Sequence, residues 1–232
     1  GAAPPSPPAA PARERPRPKP WICVLDRPKV IPPHEQLYKV VLVGDASVGK
    51  TSLLRRFAGD EVSVASSAAR GGPTRGNELS EKLVRLGPGC VVKALVCDTA
   101  GARDRAAAGA ATALAGACAA LLVYDVGRRG TFDAVPGWLR WAKRHADAEL
   151  AVALVGNCSD RPDGEREVSR DEGERMAVSF DLLHFVETSA VRPRDPFGET
   201  EAADDPILAT LLRVHAASVR WGGSSDVSVA RC

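Results

Sequence analysis

The fold of this chain is decided by one stretch of its sequence, Gly44-Asp45-Ala46-Ser47-Val48-Gly49-Lys50-Thr51, which fits the pattern GxxxxGK(S/T). The run before it, Lys39-Val40-Val41-Leu42-Val43, is typical of a strand that is buried on both faces. The run after it, Lys50 to Phe57, predicts a helix. This motif binds phosphate when it joins a strand to a helix. The sequence therefore predicts a phosphate-binding loop, and with it a bound nucleotide.

The residue types in this loop explain how it would bind phosphate. Glycines allow successive backbone N–H groups to point at phosphate oxygens, and the following helix directs its positive end at the same anion. Lys50 would bridge the terminal phosphates, and the Thr51 hydroxyl would coordinate Mg²⁺. Further contacts to the nucleotide are expected from Ala46, Ser47, Val48, Gly49 and Ser52.

Further strands and helices alternate along the chain. Apolar runs predict strands at Val91 to Cys97, Ala119 to Tyr124, Ala151 to Val155 and His184 to Glu187, and helical patterns fall at Thr131 to Arg144 and Arg170 to Val178. A last helix is expected to begin at Pro206, capped by Asp204 or Asp205. This order predicts an α/β fold of the P-loop NTPase type, with a mostly parallel, six-stranded sheet and helices on both faces.

The length of 232 residues suits one domain with tails. Residues 1–37 are rich in Pro, Ala and Arg and predict a flexible N-terminal extension, although Trp21 to Leu25 is a short apolar island within it. We expect the nucleotide-binding domain at 38–221 and a short C-terminal tail at 222–232.

The overall composition excludes several functional classes. The 31 basic and 29 acidic residues nearly cancel, so no nucleic-acid partner is expected. The six cysteines show no zinc-site spacing and favour a reducing, intracellular location in the cytoplasm. No apolar run reaches the roughly 18 residues that a membrane span needs.

Three further motifs follow predicted strands and select the nucleotide. In Asp98-Thr99-Ala100-Gly101, the Asp98 carboxylate can reach Mg²⁺ through water, and the Gly101 N–H can contact a terminal phosphate. In Gly156-Asn157-Cys158-Ser159-Asp160, the Asp160 carboxylate can accept two hydrogen bonds from guanine, which adenine could not donate. After Glu187, Thr188-Ser189-Ala190 can place a backbone N–H at the guanine carbonyl oxygen.

These four motifs resemble those of small GTPases of the Ras superfamily, and most of all its Rab branch, over roughly Tyr38 to Trp221. The resemblance implies a GTP/GDP switch in vesicle-mediated membrane traffic, with Mg²⁺ as cofactor and with peripheral association with endomembranes. It implies an exchange factor, an activating protein and effectors that bind the switch regions. It also assigns Thr74 to the first switch, where its hydroxyl meets Mg²⁺, so that the expected metal ligands are Thr51, Thr74 and Asp98.

The sequence departs from that family where individual residues have defined roles. Ala102 stands where members usually have the Gln that orients the attacking water, so no catalytic residue is assigned and slow GTP hydrolysis is expected. Cys158 and Val191 stand in place of two lysines whose stems lie along the guanine, and the first of those lysines also braces the phosphate loop. No Phe, Tyr or Trp occurs between Phe57 and Tyr124.

Three interpretations stay open on the sequence alone. The first is a Rab-like switch with weakened GTP hydrolysis. The second is a pseudo-GTPase, a binding or scaffold module with little nucleotide turnover, and the third is another branch of the superfamily with poor catalysis. The chain ends in Ala230-Arg231-Cys232, where Cys232 is either a lipidation site or a free thiol.

Overall fold

The computed structural model describes residues 23–25, 36–59, 78–87, 90–99, 112–146, 150–191 and 205–221. Its strands are β1 Cys23–Leu25, β2 Gln36–Val43, β3 Glu78–Gly87, β4 Cys90–Asp98, β5 Ala119–Asp125, β6 Ala151–Asn157 and β7 His184–Glu187. Its helices are α1 Lys50–Ala58, α2 Arg129–Asp133, α3 Val135–His145, α4 Arg170–Ser179 and α5 Pro206–Trp221, with a 3₁₀ turn at Asp163–Glu165.

All seven strands belong to one sheet, in the order β1-β3-β4-β2-β5-β6-β7. β2 pairs in parallel with β4 and β5, and β5, β6 and β7 continue the parallel part, whereas β3 pairs antiparallel with β4 and β1. The predicted mostly parallel sheet with helices is confirmed. To its six strands the structure adds the short β1, which lies within the predicted extension 1–37.

One strand of this sheet, β3, is not located by the sequence patterns. Its charged residues interrupt the apolar signal, and its buried side chains Val84 and Leu86 lie on one face only. Such alternation is typical of an antiparallel strand near a sheet edge. Leu79, at the start of β3, leaves 63% of its side chain exposed.

The helix expected over Thr131 to Arg144 is two helices, α2 and α3. Pro136 lies in the first turn of α3, where its missing N–H costs no hydrogen bond. Ala134 joins the two helices, since its N–H donates to Gly130 at 3.2 Å and its carbonyl accepts from Trp138 at 3.1 Å. Pro136, which lies inside the predicted helical pattern, therefore belongs to the first turn of a new helix.

Helix α5 has the cap that the sequence predicts. Of the two candidate residues, Asp205 is the cap, because its Oδ1 accepts hydrogen bonds from the N–H groups of Ile207 at 2.8 Å and Leu208 at 3.1 Å. Within the described residues, no helix is both long enough and apolar enough to cross a membrane.

Alternating residues of β2 enter two hydrophobic layers, one on each face of the sheet. Val40 and Leu42 face a layer that α1 and α5 complete, and Val41 and Val43 face a layer that α2, α3 and α4 complete. The helices supply Leu53, Phe57, Ile207 and Leu211 to the first layer, and Phe132, Trp138, Leu139 and Ala177 to the second. The parallel strands are thereby fixed with their carboxyl ends at one edge, which is where ligands bind in such folds.

Gly173 of α4 provides a test of the packing on the second layer. A Cβ at this buried position would lie 2.3 Å from the Phe185 ring. We expect Gly173→Ala to lower the free energy of unfolding by about 1–3 kcal/mol, measured by urea unfolding. The matched control is Gly130→Ala in α2, where a Cβ meets nothing within 4 Å and helix propensity favours alanine. Equal stability of the two variants would contradict this packing.

Candidate functional site

The loop between β2 and α1 has a backbone that only certain residues adopt. Gly44, Ser47 and Gly49 have φ angles of 148°, 60° and 92°. A Cβ at Gly44 would lie 2.2 Å from the carbonyl oxygen of Val123, and one at Gly49 would lie 2.1 Å from Nδ2 of Asn157. Both glycines are therefore required by backbone conformation and by close contact.

Lys50 places a buried cation inside this loop. Its side chain is only 4% exposed, and its Nζ donates to the carbonyl oxygens of Gly44 at 3.0 Å and Asp45 at 2.8 Å. Burial lowers the pKa of Lys50 to about 8, although the nearby carboxylates of Asp98 and Asp45 act in the opposite direction. The loop thus surrounds an ammonium group at the edge where the strands end.

Asp98, the last residue of β4, lies fully buried beside the start of α1. The Thr51 hydroxyl donates a hydrogen bond to its Oδ2, whereas its Oδ1 has no hydrogen-bond partner among the described residues. Burial raises the pKa of Asp98, against the stabilising effects of Thr51 and Lys50 on its charged form. A carboxylate and a hydroxyl are ligands that a hard cation such as Mg²⁺ prefers. The donor set therefore fits the predicted metal site.

Two further loops extend this edge. Asn157 ends β6, and its Nδ2 donates to the carbonyl of Val48 at 2.8 Å, which fastens the phosphate loop to β6. The Ser159 N–H donates to the carbonyl of Thr188 at 3.0 Å, so the loops after β6 and β7 are joined directly. Asp160, the residue after Ser159, is exposed.

The buried guanidinium of Arg56 connects α1 to the loop after β7, because it donates to the carbonyl of Ser189. Two polar atoms of these loops have no hydrogen-bond partner: Oδ1 of Asn157 and Oγ of Ser189 are both buried without one in the part of the chain that the structure describes. Buried polar atoms without partners are uncommon, and a ligand with donor groups would satisfy them.

The predicted residues from the four motifs therefore meet at one edge. The contacts described above bring together the loop residues 44–51, Asp98, Asn157, Ser159, Thr188 and Ser189. Cys158, Asp160, Ala190 and Val191 adjoin them in the chain. Ser52 lies in the first turn of α1. Thr74, Gly101 and Ala102 lie outside the described residues.

A model of the Ras family matches residues 39–195 of this chain. The Ras-related protein RABA6a of Arabidopsis thaliana is 39% identical over 181 residues, which cover 78% of this chain and 71% of that protein. The Ras-related protein RIC2 of Oryza sativa subsp. japonica is 42% identical over 181 residues, 78% of this chain and 77% of that protein. RABA5b of Arabidopsis thaliana is 43% identical over 158 residues, 68% of this chain and 69% of that protein.

The chain belongs to the Ras family. RABA6a and RABA5b carry Rab names, which confirms the resemblance to Rab-type small GTPases that the four motifs indicate.

Four residues that sequence reasoning did not assign support the phosphate loop of this Ras-family chain. Trp138 Nε1 donates to Oδ1 of Asp45 at 2.7 Å. Arg128 Nη2 donates to the carbonyl of Ser47 at 2.7 Å, and Arg128 Nε and Arg161 Nη2 donate to Oδ2 of Asp125 at 3.0 and 3.1 Å. The sequence could have indicated Asp125, because it ends β5 at the same sheet edge as the predicted motifs.

Cys158, in the place of the family's lysine, has a left-handed backbone with φ 64°. Burial raises the pKa of its thiol to about 11, and the neighbouring Asp125 carboxylate acts in the same direction. The side chain is therefore a neutral thiol at pH 7 and supplies no cation to the site.

The buried carboxylates of Asp98 and Asp125 differ in how many hydrogen-bond donors they contact, and this difference can be tested. Asp98→Asn removes a buried charge whose Oδ1 is unpartnered, so the nucleotide-free protein should gain about 1 kcal/mol of stability. The control is Asp125→Asn, which breaks contacts with Arg128, Arg161 and the Gly127 N–H and should lower stability. Urea unfolding in EDTA measures both, and a loss at Asp98 as large as that at Asp125 would refute the assignment.

Proposed function

We propose that this Ras-family protein is a guanine-nucleotide-dependent switch of the Rab type, with weakened GTP hydrolysis, acting in vesicle-mediated membrane traffic. The observation that carries the proposal is the buried pair of charges at the loop, Lys50 and Asp98. Burying charged groups costs free energy unless their interactions offset it. A terminal phosphate beside Lys50 and a cation beside Asp98 would supply those interactions, which a purely structural loop would not need.

The metal ion that fits the Asp98 site is Mg²⁺. We infer that the Thr51 hydroxyl and the Asp98 carboxylate hold it, with Thr74 as a third ligand from the first switch. When bound, Mg²⁺ neutralises charge on the phosphates. Lys50 and the N–H groups of residues 46–52 would then orient the phosphate chain, with Gly101 contacting the terminal phosphate.

Guanine specificity would come from the loops after β6 and β7. The exposed Asp160 carboxylate is open to two hydrogen bonds from guanine, and Asn157 holds its loop against the phosphate loop. The backbone of Ser189 and Ala190 lies on the joined loop and would contact the guanine carbonyl oxygen. Cys158 and Val191 would border the base without the charged stems of lysines. Adenine would leave the Asp160 carboxylate unpaired, which costs binding energy.

Weakened hydrolysis is inferred from Ala102. A methyl side chain cannot orient an attacking water, so the step that ends the GTP-bound state should be slow. We expect an exchange factor, an activating protein and effectors to bind the switch regions, and we expect the protein to work on the cytoplasmic side of endomembranes as a peripheral component.

The direct test is a titration of the full chain with fluorescent GDP, GTP and ADP, with Mg²⁺ and with EDTA. We expect GDP and GTP to bind at micromolar concentrations or below, ADP to bind at least about a hundredfold more weakly, and EDTA to weaken GTP binding. Single-turnover hydrolysis should be slower than that of a relative with Gln after its Asp-Thr-Ala-Gly motif. Absence of GDP and GTP binding at tens of micromolar would refute the switch and favour the pseudo-GTPase.

The lowered pKa of Lys50 predicts a pH dependence of binding. In the free protein this pKa is about 8, and a phosphate anion at Nζ would raise it. Below pH 8 the ammonium is present before binding, whereas above pH 8 binding must take up a proton. GDP affinity should therefore fall as the pH rises from 7 to 9, by at most about tenfold per pH unit above the pKa.

The control for this pH dependence is Lys50→Arg, whose guanidinium stays charged throughout the range. Any change in affinity that comes from ionisation of the nucleotide itself would appear equally in this variant and in the unmodified chain. The GDP affinity of the Lys50→Arg variant should be lower than that of the unmodified chain, but it should stay constant between pH 8 and 9. Isothermal titration calorimetry measures both affinities, and only that of the unmodified chain should decline over this range. A parallel decline in both proteins would show that Lys50 is not the titrating group.

A further inference from the structure

The carbonyl groups of the phosphate loop need hydrogen-bond donors. When the loop's N–H groups turn toward a phosphate, its carbonyl groups turn away from it and need donors of their own. Ser47 adopts φ 60°, a left-handed conformation that is unfavourable for a residue with a Cβ. A group that binds the carbonyls of this segment would hold the loop in that conformation.

Arg128, between β5 and α2, is such a group. Its Nη2 donates to the carbonyl of Ser47 at 2.7 Å and lies 3.4 Å from the carbonyl oxygen of Ala46. Both contacts are made by backbone acceptors, so they depend on the shape of the loop and not on its side chains. The arginine therefore contacts the segment of the loop in which Ser47 has a left-handed backbone.

The guanidinium of Arg128 is itself fixed by a carboxylate, that of Asp125. Its Nε donates to Oδ2 of Asp125 at 3.0 Å, and that buried carboxylate also accepts from Arg161 and from the Gly127 N–H at 2.9 Å. Because the guanidinium is planar and its donors form a rigid fork, fixing Nε on one side fixes the direction of Nη2 on the other. A lysine at this position could not make both contacts with the same geometry.

The charge of Arg128 also reaches the phosphate-binding side of the loop. It is among the groups that lower the pKa of Lys50, as a positive charge near a second cation does. The same positive charge would attract the phosphates of a nucleotide. Arg128 thus contributes both a contact to the loop and a positive potential at its opening.

Position 158 contributes neither of these. Cys158 follows Asn157, which bonds to the loop carbonyl of Val48, so a long cationic side chain at 158 would start next to the loop. The thiol that stands there is short and uncharged. Its surroundings include Asp125 and Arg161, the residues that hold Arg128.

We propose that Arg128 is a positioning residue for the phosphate loop, supplying from the end of β5 the cationic brace that position 158 lacks. The inference rests on the proposed nucleotide binding. It explains how this chain holds the loop in a binding conformation without a lysine after Asn157. It also assigns a role to Asp125, which orients Arg128, and to Arg161, which binds the same carboxylate.

The test is a rescue experiment on the full chain with fluorescent GDP and Mg²⁺. Arg128→Ala should lower GDP affinity at least about tenfold, mainly through faster dissociation. Cys158→Lys alone should change affinity less than about threefold. Combined with Arg128→Ala, it should restore most of the lost affinity, because it returns a cation to the same loop. A residue that acted only on overall stability would not be rescued from position 158.

The matched control is Arg129→Ala, which removes the neighbouring guanidinium. Arg129 donates to Glu172 at 2.7 Å and to the carbonyl of Glu167, and among the described residues it has no hydrogen bond to the phosphate loop. It should leave GDP affinity unchanged. Arg128→Lys, which keeps the charge and loses the fork, should fall between the unmodified chain and Arg128→Ala and serves if the alanine variant does not fold.

Each outcome decides the proposal. Rescue of Arg128→Ala by Cys158→Lys supports it. Unchanged affinity in Arg128→Ala, or a loss that Cys158→Lys does not restore in a folded protein, overturns it while leaving nucleotide binding intact. Failure of the unmodified chain to bind GDP overturns the proposed function instead, and the role of Arg128 with it.

Discussion

The burial of the Lys50 ammonium is the constraint on which the rest of the site depends. A cation that is almost fully withdrawn from water is tolerated only where acceptors surround it. Here the acceptors are the carbonyls of Gly44 and Asp45, which the tight curl of the loop between β2 and α1 places within hydrogen-bond distance of Nζ. The tight curl in turn requires glycine at two positions and neighbours that hold it from outside.

Those neighbours come from three of the parallel strands that end at the same edge. β4 brings Asp98, β5 brings Asp125 and the arginine that follows it, and β6 brings Asn157. Each of them reaches the loop by a hydrogen bond to its backbone or to the start of α1, either directly or through Arg128. The sheet order is therefore what converts separate sequence motifs into one site, and the two apolar layers hold that order in place.

Much of this could be predicted from the sequence because the informative features are local. The phosphate loop is specified within eight residues, and strands buried on both faces form continuous apolar runs such as Val40 to Val43. β3 was not located, because its Glu, Lys and Arg residues hide a one-sided apolar pattern. The break between α2 and α3 at Ala134 was also missed, since the apolar residues continue across it.

The arginine contacts were beyond sequence reasoning for a different reason. Arg128 meets Ser47 across 81 positions of the chain, and only the pairing of β5 with β2 brings them together. A family pattern draws attention to what is missing at Cys158, but a compensating group from another strand is visible only in three dimensions. The loss of a motif residue is thus weak evidence for loss of function while the fold can supply the same group from elsewhere.

Guanine-nucleotide binding at this loop can be measured by thermal unfolding of the full chain with Mg²⁺ and GDP, compared with Mg²⁺ and ADP at the same concentration. A ligand that binds only the folded state raises the unfolding temperature, and about a thousandfold excess over the dissociation constant adds ~4 kcal/mol. If the loop binds guanine nucleotide as proposed, GDP raises the unfolding temperature by several degrees and ADP raises it little or not at all. Identical unfolding temperatures with GDP, with ADP and without nucleotide would contradict it.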